Sequence, residues 1–265
     1  MVFLKLGGSL ITDKERYQTP RPAVIERAAA EIAAALAARP DLRLLLGHGS
    51  GSFGHFEAAK YGVREGCGGD WFGYAATAAA AARLNRLVTD ALLAAGLRVV
   101  AVQPSASARC RDGALESMAV DVVEELLARG VVPLVYGDVA IDTVRGCTIV
   151  STEQIFTHLA RHIRPQRIIM VGEVDGVYTQ DPHRSAQALR IPEVHSGNYD
   201  EVVGMLGASH GVDVTGGMLS KVRTLAALVQ TVPGLTVQLI SGAREGLVAR
   251  ALCGEALGEG TVIRQ

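Results

Sequence analysis

The chain has 265 residues, enough for one large α/β unit or two lobes around a sizeable core, with 49% hydrophobic and 20% charged residues, as expected of a globular protein. A formal net charge of −1 supplies no basic field for nucleic acid. No apolar run reaches the roughly 18 residues of a spanning helix, and the first residues lack a signal-peptide pattern, so a cytoplasmic protein that binds no membrane is expected.

Val2–Leu6 predicts a strand ending in Gly7-Gly8-Ser9, and the polar residues from Leu10 to Arg21, with Lys14, predict a loop. Pro22, favoured in a first helical turn, opens an alanine-rich helix to about Arg39. Leu42–Leu46 is the second predicted strand. The stretch Gly47-His48-Gly49-Ser50-Gly51-Ser52-Phe53-Gly54-His55 then passes into a helix ending near Tyr61. A strand that bares backbone N–H groups and enters a helix suits an anion, because those groups and the positive end of the helix dipole point the same way. Gly62–Gly69 is a loop, and Trp71–Ala95 a helix with Leu84, Leu87, Val88 and Leu92 at helical spacing. Aromatics form only 5% of the chain, yet Trp71, Phe72 and Tyr74 cluster at this helix's start; they either cap the core or wall an apolar pocket.

Leu97–Val102 predicts a strand, Met118–Arg129 a helix and Val131–Tyr136 a strand ending at Gly137-Asp138. Val139–Val150 predicts a hairpin on the sheet edge, turning at Arg145-Gly146. The second half opens with a helix over Ser151–Ile163 and a strand over Arg167–Val171 ending in Gly172. Asp175-Gly176-Val177-Tyr178 is a turn, Gln180–Asp200 an irregular excursion, and Asp213–Met218 leads into a helix carrying Lys221. Leu235–Ile240 and Gly260–Ile263 are the last strands. Strands alternating with helices predict a largely parallel sheet, with ligands at the carboxyl ends of its strands. Cys67, Cys110, Cys147 and Cys253 show no paired spacing and are expected to be free thiols. His48 is expected to be structural; His158, His162, His183, His195 and His210 are expected to be solvated, and Lys60 a surface lysine.

Two phosphate motifs fail at the central glycine stretch. Gly49 to Gly54 has Walker A spacing, but His55 stands where that motif needs lysine. Gly49, Gly51 and Gly54 satisfy Gly-x-Gly-x-x-Gly, but the pattern follows the second strand and no acid ends a following strand, which argues against a Rossmann NAD(P) enzyme. Of 26 basic residues only Lys5, Lys14, Lys60 and Lys221 are lysines, and three of these lie beside glycine-rich turns, where a compact ammonium is not interchangeable with guanidinium.

Taken in order, Lys5-Leu6-Gly7-Gly8-Ser9, Gly49–His55, Gly176-Val177-Tyr178-Thr179-Gln180-Asp181-Pro182, and Asp213–Met218 with Lys221 resemble the amino acid kinase superfamily over essentially the whole chain. Its members move the γ-phosphoryl group of ATP to a carboxylate, carbamate or phosphate. Leu10-Ile11-Thr12-Asp13-Lys14 and Gly51-Ser52-Phe53-Gly54-His55 are similar to the isopentenyl phosphate kinases of isoprenoid biosynthesis. The resemblance implies a three-layer α/β/α sandwich with a phosphate-acceptor lobe over residues 1–149 and an ATP lobe over 150–265. It also implies a homodimer through the first lobe. Implied catalytic residues are Lys5, Lys14, His55 and Lys221. ATP would meet Lys5, Gly7, Gly8, Ser9, Gly51, Gly172, Asp175, Gly176, Val177, Tyr178, Asp181, Thr215, Gly216, Gly217 and Lys221. The isoprenoid monophosphate would meet Gly49, Ser50, Gly51, Gly54, His55, Trp71, Phe72, Tyr74, Thr152 and Glu153. Mg²⁺ would arrive with ATP, since no carboxylate cage is visible. One departure stands out: the family's Ser-Gly-Asp is Ser151-Thr152-Glu153 here. Related fosfomycin kinases also lack that glycine, which makes phosphonate phosphorylation the alternative. A ligand-sensing module without catalysis is disfavoured by the retention of Lys5, Lys14 and Lys221.

Overall fold

The computed structural model describes residues 1–69, 71–182, 185–208 and 217–265; Asp213, Thr215, Gly216, His183 and His210 lie outside them. Along the chain run β1 (Val2–Leu6), α1 (Gly8–Ile11), α2 (Pro22–Ala38), β2 (Leu44–His48), α3 (Gly51–Lys60), α4 (Phe72–Ala94) and β3 (Val99–Ala101). Next come β4 (Arg109–Arg111), β5 (Ala114–Ser117), α5 (Val120–Ala128), β6 (Val132–Tyr136), β7 (Asp138–Asp142), β8 (Gly146–Val150) and α6 (Thr152–Ile163). The remainder comprises β9 (Arg167–Gly172), β10 (Val177–Tyr178), β11 (Arg190–Ile191), β12 (Glu193–Val194), α7 (Tyr199–Ala208), α8 (Gly217–Thr231), β13 (Thr236–Ser241), α9 (Leu247–Cys253) and β14 (Thr261–Ile263).

Eight strands form the main sheet in the order β12-β14-β13-β9-β1-β2-β6-β3. Among the described residues its pairings are parallel except β13–β14. Side chains alternate along each strand, so Val2, Leu4 and Leu6 of β1 face one layer and Phe3 the other. The first layer is α2, α4 and α9 packed on Leu44, Leu46 and Ile169; the second is α5, α6 and α8 packed on Leu45, Ile168 and Val237. The sequence therefore folds as the expected α/β/α sandwich. Because β1 pairs with β2 on one side and β9 on the other, the chain order reverses at β1. Loops leaving its carboxyl end from both halves meet there, the switch point where open α/β sheets bind ligands.

Several expectations change. Residues Gly8–Ile11 form a helical turn where a loop was expected from Leu10 onward, and Thr12 pairs with Pro20 across the base of the Lys14 loop. The hairpin of β7 and β8 exists but lies off the main sheet, in a separate sheet ordered β5-β4-β7-β8. Its anchor is Asp142, whose carboxylate accepts from the N–H groups of Asp112, Gly113, Val144 and Arg145 at 2.7–3.0 Å. The excursion after Gln180 contains β12, which closes the main-sheet edge against β14, and it leads into α7. Leu87 is exposed, leaving Leu84, Val88 and Leu92 as the inward stripe of α4.

The expectation of free thiols fails for two of the cysteines. Cys67 and Cys147, 80 residues apart, form a disulfide between the Gly62–Gly69 loop and β8; Cys110 and Cys253 are free. Closing so long a loop restrains the unfolded chain and contributes roughly 2–4 kcal/mol. Among the described residues no helix is long and apolar enough to cross a membrane.

Candidate active site

Beyond the carboxyl ends of the central strands opens a cavity of about 1900 Å³. Its floor is built by the first two glycine loops, which touch backbone to backbone. A Cβ on Gly8 would sit 2.6 Å from the Gly51 nitrogen, and one on Gly49 2.8 Å from the Gly8 nitrogen. Gly51 also has φ +51° and would drive a Cβ to 2.3 Å from Thr12 Oγ1. Thr12 ties the two loops: its hydroxyl donates to Gly8 O at 2.7 Å and accepts from Ser52 N at 3.0 Å. The loops are close because no side chain separates them.

Lys5 comes from the centre of β1, 7% exposed, and its Nζ lies 2.7 Å from Glu153 Oε1. Glu153 stands in the first turn of α6, whose start is set by a capping box: Ser151 Oγ accepts from Gln154 N, and Gln154 Oε1 accepts from Ser151 N. Burial raises the Glu153 pKa, but the charges of Lys5 and Lys221 together outweigh it and bring the value down to about 2. The carboxylate is thus ionised between two lysines from opposite sides of β1, and a fifth of its side chain remains open to solvent. The extra methylene of Glu153 relative to aspartate does not prevent it from reaching Lys5. Nor does Thr152 intrude on the cavity: its side chain turns into the fold and donates to His48 O at 2.6 Å.

His55 lies on the first turns of α3, exposed and lining the cavity with Gly49, Ser50 and Gly51. Lys14 projects from a loop held at both ends. Thr19 N donates to Ser52 Oγ at 3.2 Å, Tyr17 donates to Glu57, and Arg21 pairs with Glu173 at 2.7 Å across the cavity mouth. Gly7, Gly8, Ser9, Gly172, Gly176, Tyr178, Asp181, Gly217 and Lys221 complete the sequence-expected lining that the structure gathers. Asp175 lies beside a smaller neighbouring cavity, its Oδ1 accepting from Tyr178 Oη at 2.6 Å, and Val177 is buried in β10. Gly54 packs against Ser50 inside α3.

The aromatic cluster is not a cavity wall. Trp71 and Phe72 are 47% and 64% exposed and stack edge-on against Tyr74 and Tyr61. Gly73 explains the direction: a Cβ there would sit 2.4 Å from Tyr61 Cβ, so α4 meets α3 through this glycine and its neighbours turn outward. Tyr74 alone turns in, joining Ala58, Val63, Ala78, Val139 and Ile149. Met205, Leu206, Leu219, Arg223 and Thr224 line the cavity without having been expected. The last three flank Lys221 on α8, and helical spacing from that lysine was the available signal; α7 was not recognised. His48 is buried, as expected of a structural residue. Among the described residues no three His, Cys, Asp or Glu gather to hold a metal.

Comparison with known proteins agrees with this geometry. The amino acid kinase family model matches residues 1–240. The isopentenyl phosphate kinase of Methanothermobacter thermautotrophicus is 36% identical, covering 96% of both chains. That of Haloferax volcanii is 39% identical over 86% of this chain and 88% of its own. A crystal structure of an isopentenyl phosphate kinase superposes with a TM-score of 0.83 at 33% identity, covering 99% of each chain. The chain belongs to the amino acid kinase family and, within it, to the isopentenyl phosphate kinases.

Proposed function

We propose that the chain transfers the γ-phosphoryl group of ATP to the phosphate of isopentenyl phosphate, giving isopentenyl diphosphate and ADP. The observation that carries this reading is the meeting of Lys5, Lys14, Lys221 and His55 on one cavity floored by touching glycine loops. Three ammonium groups and an imidazole suit a reaction that crowds the oxygens of two phosphate-bearing molecules together, where positioning and charge stabilisation dominate. An acceptor oxygen attacks the γ-phosphorus; the bond from that phosphorus to the bridging oxygen breaks, and its electron pair leaves with ADP. The acceptor phosphate is already an anionic nucleophile, so no general base is needed.

Lys5 and Lys221 meet the transferred group from the two sides of β1, with Glu153 keeping Lys5 aimed. Lys14 reaches over from its pinned loop. His55 donates to the acceptor phosphate above Gly49, Ser50 and Gly51, while Gly172, Gly176, Tyr178, Asp181 and Gly217 face the nucleotide. Residues 1–149 then form the acceptor lobe and 150–265 the ATP lobe. The prenyl tail would run toward Tyr74, Val139 and Ile149, and Trp71 and Phe72 drop out of that role. Mg²⁺ would ride on the nucleotide's phosphates, and none of this chain's residues is assigned to hold it. A homodimer through the first lobe has a natural seam: β3 is the edge strand, with Val100 exposed on it and Leu87 and Leu93 exposed on α4.

The test is ADP release with ATP and Mg²⁺, using isopentenyl phosphate and fosfomycin as separate acceptors. Turnover on isopentenyl phosphate is expected. Release with fosfomycin alone would transfer the assignment to a phosphonate kinase, and silence with both would refute a kinase acting on either.

A further inference from the structure

Beneath the acceptor loop, the end of β2 and the start of α6 are bonded to each other through buried polar groups. His48 closes β2 with no exposed surface. Its carbonyl accepts twice, from Gly137 N at 3.0 Å and from Thr152 Oγ1 at 2.6 Å. Its ring is held at both nitrogens: Nδ1–H donates to Gly49 O at 3.0 Å, and Nε2 accepts from Asn85 Nδ2 at 3.1 Å. The ring also lies parallel to Tyr136, with centroids 5.5 Å apart. Asn85 is buried on α4, and its own carbonyl accepts from the Thr89 hydroxyl at 2.8 Å. Burial pulls the His48 pKa down to about 4 against the Gly49 bond that raises it, with Lys5 adding to the fall. The imidazole is therefore neutral across the physiological range, one nitrogen donating and the other accepting.

Two functional segments leave this cluster. The residue after His48 is Gly49, whose carbonyl the ring holds; the peptide is planar, so the following N–H of Ser50 points away from the buried ring. The residue after Thr152 is Glu153, which carries the carboxylate of the Lys5 pair. Glycine at position 152 could make no such side-chain bond. Threonine also fills the space over Gly47, where a Cβ would lie 2.7 Å from Thr152 Cγ2.

We propose that Thr152, His48 and Asn85 are positioning residues that hold the Gly49–Gly51 loop in register with the Lys5–Glu153 pair. The proposal rests on reading that loop as the acceptor cradle. It also gives the threonine a purpose: the hydroxyl makes a joint between the two segments that must align an acceptor with the lysines. Such a joint matters because displacements near 1 Å in a reacting pair cost rate steeply.

Thr152→Val keeps the shape and deletes the hydroxyl, whereas Thr152→Ser keeps it. With Thr152→Val the KM for isopentenyl phosphate is expected to rise about tenfold while the KM for ATP stays within about twofold, and Thr152→Ser should restore the acceptor KM. A purely packing role would lower thermal stability and leave both KM values unchanged; that result would overturn the proposal. Thr152→Ala deletes the same bond should the valine variant not fold. If neither folds while the serine variant does, Thr152 is a stability residue and the proposal fails. Hydrogen exchange supplies a readout independent of the acceptor: the amides of Gly49, Ser50 and Gly51 should exchange about tenfold faster in the valine variant than in the serine variant. Wild-type enzyme silent toward isopentenyl phosphate would sink the acceptor assignment alone. The exchange result would then decide the positioning claim, unchanged rates refuting it.

Discussion

Two carboxylates in this molecule are held near pKa 2, and they belong to regions built on opposite principles. At the carboxyl edge of the main sheet, burial works against Glu153 and the lysines from both sides of β1 overcome it. In the small sheet, burial works against Asp142 and backbone N–H groups of two hairpins overcome it. The first arrangement keeps cations poised beside a cavity. The second uses up the carboxylate's bonding capacity inside the fold, where the side chain is 2% exposed. A depressed carboxylate pKa therefore marks a functional site only when the groups that depress it have bonding capacity left for a ligand.

Substitutions in the two regions should separate activity from stability. Lys5→Met should have the largest effect, lowering kcat by about 10³-fold at saturating substrates, because it removes a charge aimed at the transferred group and leaves Glu153 facing Lys221 alone. Steady-state ADP release measures it, and a loss under tenfold would place Lys5 outside the chemistry. His55→Ala should follow, with turnover down about 10²-fold and ATP affinity unchanged. Titration of a nonhydrolysable ATP analogue checks the second half of that statement. Asp142→Asn should behave in the opposite way: kcat within about threefold of wild type, with urea unfolding showing a loss of about 1–3 kcal/mol as buried N–H groups lose their charged acceptor. A large kinetic defect with intact stability would erase the contrast between the regions.

The smallest effect is a pH dependence. Both carboxylates have folded pKa values below their ordinary ones of 3.8 and 4.5. Each therefore contributes stability that is fully present above the ordinary value and is lost as pH falls toward about 2. The urea midpoint of the wild type should fall between pH 5 and pH 2.5, and Asp142→Asn should remove part of that fall, Glu153 accounting for a remainder. Equal slopes in both proteins would contradict the bonding described for Asp142.

Features carried by local pattern were legible in the sequence. Alternating apolar strands, Pro22 at a helix start and the Ser151–Gln154 capping signal located the main sheet and α6 without tertiary information. The glycine loops and lysines predicted the cavity because touching backbones need glycines wherever they meet. What was missed depends on partners far along the chain. α9 has seven residues, and its first N–H groups are satisfied by Glu31, which accepts from Gly246 and Val248 at 3.0 and 2.9 Å. The small sheet depends on Asp142 gathering two turns, and Cys67 gives no sign of Cys147. Trp71 and Phe72 show the reverse error, a suggestive composition whose direction is decided by Gly73 against Tyr61.

Phosphorus NMR of the wild-type protein with ATP, Mg²⁺ and isopentenyl phosphate tests the central claim most directly. The account predicts that the acceptor's single resonance gives way to a coupled pair from a new diphosphate, as ATP is converted to ADP in equal amount. An unchanged acceptor resonance while ATP is consumed, or no change at all, would contradict it.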